Sequence, residues 1–216
     1  DYVGQKALEK QGQSPFLLKE WLPLAFIINS LNNLLGFGGI IGATLRGNFY
    51  HKDLSKKKVL GTVSKMAFFM LTGLSIFSLV GFFMIMFLEV DTYFKQYWFW
   101  LLGGSFFAPG LLFFCYLKKE TLFKEFFPYG TYQLVGASFL QWTGAFLTFT
   151  VIGYLLGVPF SFQELLPLFF ATSLIGMLTM VPGGAGTFDV LMILGLGQMG
   201  ISKETALLWL LFYRLC

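Results

Sequence analysis

Val181-Pro182-Gly183-Gly184-Ala185-Gly186-Thr187-Phe188-Asp189 separates two strongly apolar runs, Leu165 to Met180 and Val190 to Met199. Proline lacks an N–H, and glycine loses the most backbone entropy in a helix. The chain is therefore expected to break here. Inside lipid, a break exposes N–H and C=O groups, and it is tolerated only where protein or a wet cavity supplies their partners. Asp189 adds an ionisable group at or near membrane depth, where such groups are costly and by default mark function. A loop at the membrane surface with an ordinary exposed aspartate is the competing reading of the same residues.

Working outward, the composition decides the class. Of 216 residues 56 % are hydrophobic and only 12 % charged, with a mean hydropathy of +0.71 and 28 phenylalanines. Soluble domains carry roughly 25 % charged residues. Long unbroken apolar runs, rather than alternation with period two, select helices over a barrel. The fold class is all-α: a polytopic helical membrane protein with about 5–7 membrane segments, some broken or re-entrant. Residues 1–20 read as an interfacial or connecting segment, and 21–216 as part of one integral-membrane domain. The chain starts at Asp1 and stops at Cys216 inside an apolar run, so a longer parent protein is expected.

Further spans are expected at Trp21 to Leu45, within Val59 to Leu88, at Tyr97 to Leu117 and at Thr131 to Leu156, with another helix from Thr205. Lys65 can snorkel at the start of its span. Pro109-Gly110 predicts a kink. The basic residues cluster beside the spans: Arg46, Lys52, Lys56, Lys57 and Lys58 in one loop, Lys118, Lys119 and Lys124 in another. They read as topology signals and contacts to anionic lipid, not as a nucleic-acid surface. Loops 89–96 and 157–163 carry few or no basic residues, so the two basic loops are expected to be cytoplasmic. The run from Trp21 contains Asn29, Asn32 and Asn33 and then Gly36, Gly38, Gly39 and Gly42. Amides in lipid need partners. A re-entrant hairpin explains this cluster and keeps both basic flanks on one side. The break at 181–186 poses the same choice between two crossings and a hairpin, and the sequence leaves it open.

Gly38 and Gly42 have the GxxxG spacing of closely packed membrane helices. Tight packing and a polar cavity are both consistent with it. The glycine break at Pro182, Gly183, Gly184 and Gly186 can present N–H groups to an anion. Asp189 either favours the positive end of the following helix or faces an amino group on a lipid. Arg46 and Arg214 can grip a phosphate bidentately, and Arg46 can equally be a boundary residue. Glu89, Asp91, Glu120, Glu125 and Glu164 read as solvated loop residues. Cys115 and Cys216 read as reduced core residues, and His51 as a solvated loop residue. No metal site, cofactor or soluble catalytic constellation is expected.

The run Asn32-Asn33-Leu34-Leu35-Gly36-Phe37-Gly38-Gly39-Ile40-Ile41-Gly42-Ala43, continuing to Arg46, resembles the integral-membrane domain of bacterial phosphatidylglycerol lysyltransferases, the multiple peptide resistance factors. Val181 to Asp189 is similar to the PGG-x-G-x-x-acidic signature of the wider lysylphosphatidylglycerol-synthase membrane superfamily. Leu208-Trp209-Leu210-Leu211-Phe212-Tyr213-Arg214 resembles the family's next helix. The resemblance implies a two-part protein of the bacterial cytoplasmic membrane. A C-terminal synthase domain, absent here, moves lysine or another amino acid from aminoacyl-tRNA onto phosphatidylglycerol. The membrane part moves the product to the outer leaflet and so gives resistance to cationic antimicrobial peptides. On that reading Asn32, Asn33, Arg46, Asp189 and Arg214 meet the headgroup. The partners are anionic and aminoacylated phospholipids and the synthase domain, with a homo-oligomer possible through GxxxG contacts and no nucleic acid bound by this fragment. A secondary transporter of a small solute or ion and a non-transporting scaffold for a soluble enzyme are the alternatives.

Overall fold

The structure is a computed structural model that describes residues 2–11, 18–35, 40–49, 54–126, 129–179 and 186–215. Every regular element among them is a helix. Among the described residues three stretches are long and apolar enough to cross a membrane: Lys57–Phe87, Trp98–Leu117 and Tyr129–Leu155. Phe162–Leu178 and Thr187–Gln198 are shorter apolar helices. The expected polytopic helical architecture is present, and its lipid-compatible surface is visible as exposed Phe87, Phe99, Phe113, Leu140 and Leu155.

The first span is interrupted in the middle. It comprises α4 (Lys56–Phe69) and α5 (Thr72–Phe87), following α1 (Tyr2–Glu9), α2 (Leu18–Leu35) and α3 (Ile40–Phe49). The Met70 carbonyl at the bend accepts from Trp142 Nε1 at 2.9 Å and from the Ser138 hydroxyl at 2.8 Å. The same hydroxyl accepts the Gly73 N–H at 2.8 Å. Both partners project from α9 (Tyr129–Leu155). Released backbone groups in an apolar interior need such partners, so α9 stabilises the bend. A Cβ at Gly73 would sit 2.7 Å from the Ser138 carbonyl carbon, which explains the glycine there.

After α6 (Thr92–Lys95), one turn capped by Asp91, the second span is α7 (Trp98–Ser105) followed by α8 (Phe107–Leu117). The helix is interrupted at Phe106, three residues before Pro109. Pro109 cannot donate to the Ser105 carbonyl, which instead accepts from the Ser75 hydroxyl at 2.9 Å. Ser75 Oγ in turn accepts the Ala108 N–H at 2.9 Å.

At the centre lies α10 (Phe162–Leu178), buried on every side from Leu165 to Ser173. It packs on α5, α7 and α11 (Thr187–Gln198). A helix apolar all round belongs in a core. Phe77 stacks on Phe170 with centroids 4.5 Å apart, and Phe149 on Trp209 of α12 (Lys203–Leu215) at 4.6 Å. Offset or edge contacts of this kind contribute about 0.5–1.5 kcal/mol each beyond area burial, which accounts for the use of so many phenylalanines.

Two expectations are corrected. Glu125 is not a solvated loop residue: its side chain is 13 % exposed and bonded to Lys65, which therefore pairs instead of snorkelling. Glu164 stands in the first turn of α10 rather than in a loop. The N-terminal segment packs onto the bundle, with Ala7 and Leu8 buried and Lys10 Nζ bonded to the Glu125 carbonyl at 3.1 Å.

Candidate functional site

The apolar runs on either side of the proline–glycine stretch form α10 and α11, which pack against each other as a hairpin. Pro182, Gly183 and Gly184 lie outside the described residues. The two ends of the break are tied by Thr179 Oγ1 donating to Thr187 Oγ1 at 3.1 Å. Gly186 is described: its φ of +118° is one that side-chain-bearing residues rarely adopt, so glycine is needed at this turn into α11.

Asp189 occupies the third position of α11, and its carboxylate accepts the Gly186 N–H at 3.3 Å. This satisfies a donor left over by the helix start and places negative charge at the positive end of the helix dipole. The carboxylate also makes a fork-to-fork pair with Arg214. Arg214 Nε donates to Oδ1 at 3.1 Å, and its Nη2 donates to Oδ2 at 2.7 Å. Arg214 stands in the last turn of α12, where a cation meets the negative end of that helix. Because α11 and α12 are neighbouring and joined by a short turn, residues 25 apart in sequence meet across the ends of the two helices.

The pair is neither buried nor free: the Asp189 side chain is 23 % exposed and that of Arg214 34 %. Phe188 and Tyr213, each adjacent in sequence to one member, have ring centroids 6.3 Å apart, and both contact Phe169 of the central helix. A carboxylate and a guanidinium in one half-exposed site offer complementary charges to a ligand carrying both a cation and an anion.

The other expected site residues are placed less closely. Asn32 and Asn33 fall in the last turn of α2, with side chains outside those described, and Gly36, Gly38 and Gly39 lie outside the described residues. Helix α2 touches α12, the helix that carries Arg214. Arg46, half-buried in the last turn of α3, is engaged with a neighbour. Helix α3 packs on α2 and α4. The structure thus brings Asp189 and Arg214 together directly. Among the described residues, no group of three or more His, Cys, Asp or Glu side chains is arranged to hold a metal ion.

Reading the residues alone missed that Asp189 and Arg214 are partners. The signal was available: an acid at a helix start and a base at the end of the next, antiparallel helix. It also missed Ser75 and Ser138, which look unremarkable in sequence because their role depends on neighbouring backbone.

Comparison with known proteins agrees with this architecture. Residues 10–216 match the family model for the lysylphosphatidylglycerol synthase TM region. A phosphatidylglycerol lysyltransferase of Staphylococcus aureus (strain COL) is 32 % identical over 199 residues, which is 89 % of this chain. That of Staphylococcus aureus (strain MRSA252) is 34 % identical over the same length, and that of Staphylococcus xylosus 32 % over 206 residues. The chain spans only 23 % of the length of each of these relatives. No solved structure matches it. With nearly the whole chain matched and several apolar helices in place, it is a multi-pass membrane protein and belongs to the lysylphosphatidylglycerol synthase transmembrane-region family.

Proposed function

We propose that this chain is the lipid-translocating membrane part of an aminoacyl-phosphatidylglycerol synthase, carrying lysyl-phosphatidylglycerol to the outer leaflet of the bacterial cytoplasmic membrane. Fewer cationic antimicrobial peptides would then bind the surface. The observation that carries the reading is the half-exposed Asp189–Arg214 pair at the α10–α11 break.

The proposed mechanism is an exchange of partners. A lysyl-phosphatidylglycerol headgroup has a phosphate and ammonium groups on one small frame. Arg214 releases Asp189 and takes the phosphate bidentately, while Asp189 takes an ammonium. Two ion pairs replace one protein pair and one solvated headgroup. Exposed pairs contribute only about 0–1 kcal/mol, whereas breaking a fully buried pair without replacement costs about 3–5 kcal/mol. Partial exposure places this pair between those limits, so opening costs little and the incoming charges offset it. Plain phosphatidylglycerol supplies only the phosphate and would leave Asp189 without a cation. That asymmetry makes the aminoacylated lipid the preferred cargo.

Asn32 and Asn33 of α2 and Arg46 of α3 are proposed to extend the polar path for the headgroup while the acyl chains stay in lipid. Helices α10 and α11, of 17 and 12 residues, reach about 25 and 18 Å, short of the ~30 Å hydrocarbon core. That length favours a re-entrant hairpin. The transferase step belongs to a separate C-terminal domain.

In the parent protein, Asp189→Asn is expected to lower lysyl-lipid in the outer leaflet while total lysyl-lipid stays constant. Labelling outer-leaflet amines on whole cells against total lipid extracts reads both. An unchanged outer-leaflet fraction would sink the assignment of Asp189.

A further inference from the structure

The α4–α5 and α7–α8 bends are built alike. In each, a carbonyl and the N–H three residues further on are both taken by one serine hydroxyl from a neighbouring helix: Met70 and Gly73 by Ser138, Ser105 and Ala108 by Ser75. Both serines are buried. Among the described residues the hydrophobic core falls into three clusters, one of them formed by Val59 and Val63 of α4 with Leu8, Ile28 and Leu54, and the boundary between the other two coincides with these two places. Leu74 and Ile85 of α5 and Leu101 of α7 belong to the large cluster around α10. Met66 and Phe69 of α4 and Cys115 of α8 belong to a second cluster, with Phe123 and Phe126. Among the described residues only α9 contributes buried residues to both, Leu134 to the second and Phe146 to the first.

We infer that residues 70–73 and 105–108 are a linked pair of hinges on which the α4–α8 half swings against the α5–α7 half. An unbroken helix resists bending because its ladder of hydrogen bonds must open. At these two points the ladder is already open, and a hydroxyl, whose hydrogen can rotate, follows small changes in direction. Packed clusters move as units, and a boundary between two of them is where relative motion costs least. Ser75 couples the hinges. It lies two residues beyond Gly73 on α5, its own N–H bonds the Leu71 carbonyl, and its hydroxyl holds the α7–α8 break. A swing at one bend therefore pulls on the other. Helix α9, carrying Ser138 and Trp142, is the strut against which the movement occurs.

Use of the hinge in moving lipid rests on the function proposed above, whereas the hinge itself does not. The test is a pair of distance measurements on protein in lipid nanodiscs, in a Cys115→Ser, Cys216→Ser background. Spin labels at Lys57→Cys on α4 and at Lys118→Cys at the end of α8 are each paired with a reference at Leu208→Cys on α12. All three positions are exposed. A bend of ~20° at the end of the 14-residue α4 moves its tip by about 7 Å. Two distance populations separated by several ångströms are expected for both pairs. Pro109 is exposed, so Pro109→Ala adds an N–H for the Ser105 carbonyl without disturbing packing. It is expected to collapse the Lys118 pair to one population and to narrow the Lys57 pair through Ser75.

One narrow distance for both pairs in the unmodified protein would overturn the hinge, as would Pro109→Ala leaving both populations unchanged. Lipid movement on the same samples separates the two claims. Two populations without lipid movement refute transport and support the hinge; movement with a single population refutes the hinge alone.

Discussion

Ser138→Ala and Trp142→Phe, made singly and together, test whether the bend at Met70 is held by shared hydrogen bonds. Trp142→Phe removes one of two donors to the Met70 carbonyl and leaves Ser138 in place. A hydrogen bond lost from a group that keeps another partner costs about 0.5–1.5 kcal/mol. The phenyl ring retains an apolar surface against Phe170, whose centroid lies 6.2 Å from that of Trp142. Ser138→Ala leaves the buried Gly73 N–H without an acceptor, for about 1–3 kcal/mol. In that variant the carbonyl still has Trp142. Only the double variant orphans the carbonyl as well, so its loss should exceed the sum of the single losses by about 1 kcal/mol. Membrane hydrogen bonds measured by such cycles average about 0.6 kcal/mol, which makes the excess small but resolvable. Reversible unfolding in mixed micelles, followed by tryptophan fluorescence, supplies the four free energies. Strict additivity within about 0.3 kcal/mol would refute the idea that the two side chains hold one carbonyl.

Two other sites give direct stability tests. A Cβ at Gly153 would lie 2.6 Å from Cε2 of Trp209, whose indole donates to the Phe149 carbonyl at 2.7 Å. Gly153→Ala should therefore cost about 1–3 kcal/mol through overpacking between α9 and α12. Gly144→Ala, on the same helix with nothing within 4 Å, should be neutral or stabilise by up to about 1 kcal/mol; equal effects from the two would contradict the packing described. Lys65→Met should destabilise by about 2 kcal/mol, between the exposed and buried limits, because it strands a mostly buried Glu125. Adding Glu125→Gln should recover much of that loss, and thermal denaturation in detergent at fixed pH distinguishes recovery from further loss.

The membrane class and the positions of the helices were legible because lipid leaves the backbone few options. Apolar runs bounded by Pro, Gly and lysine clusters predicted Tyr97–Leu117 and Thr131–Leu156 to within a few residues. The interruption near Pro109 was legible for a local reason, a missing donor. The bend at Met70 was not, because its cause sits on another helix: Ser138 and Trp142 are 68 and 72 residues away. Val59 to Leu88 accordingly reads as one clean span. At the candidate site, Asp189, Arg214 and Gly186 were identifiable as residues that lipid would not tolerate without a reason. Their arrangement was less so. Taken alone, Asp189 reads either as an acid at a helix start or as a carboxylate facing a lipid amine, and Arg214 as a phosphate grip, whereas the folded chain gives each the other as a resting partner. The same reason hid Lys65–Glu125, whose members are 60 residues apart. Long-range pairing of opposite charges is decided by helix packing, and single-sequence periodicity does not specify it.

The most direct test of the account is leaflet-resolved movement of labelled lysyl-phosphatidylglycerol and plain phosphatidylglycerol in proteoliposomes. The set comprises the unmodified protein, Asp189→Asn, Arg214→Gln and the double variant, each verified as folded. The double variant restores a neutral, hydrogen-bonding pair. A purely structural pair would thus regain function in it, whereas a headgroup-binding pair would not. Partner exchange predicts fast movement of the lysyl lipid by the unmodified protein, slower movement of the plain lipid, and loss of the lysyl-lipid advantage in all three variants. Full activity in the double variant, or no movement above empty vesicles with the unmodified protein, would contradict it.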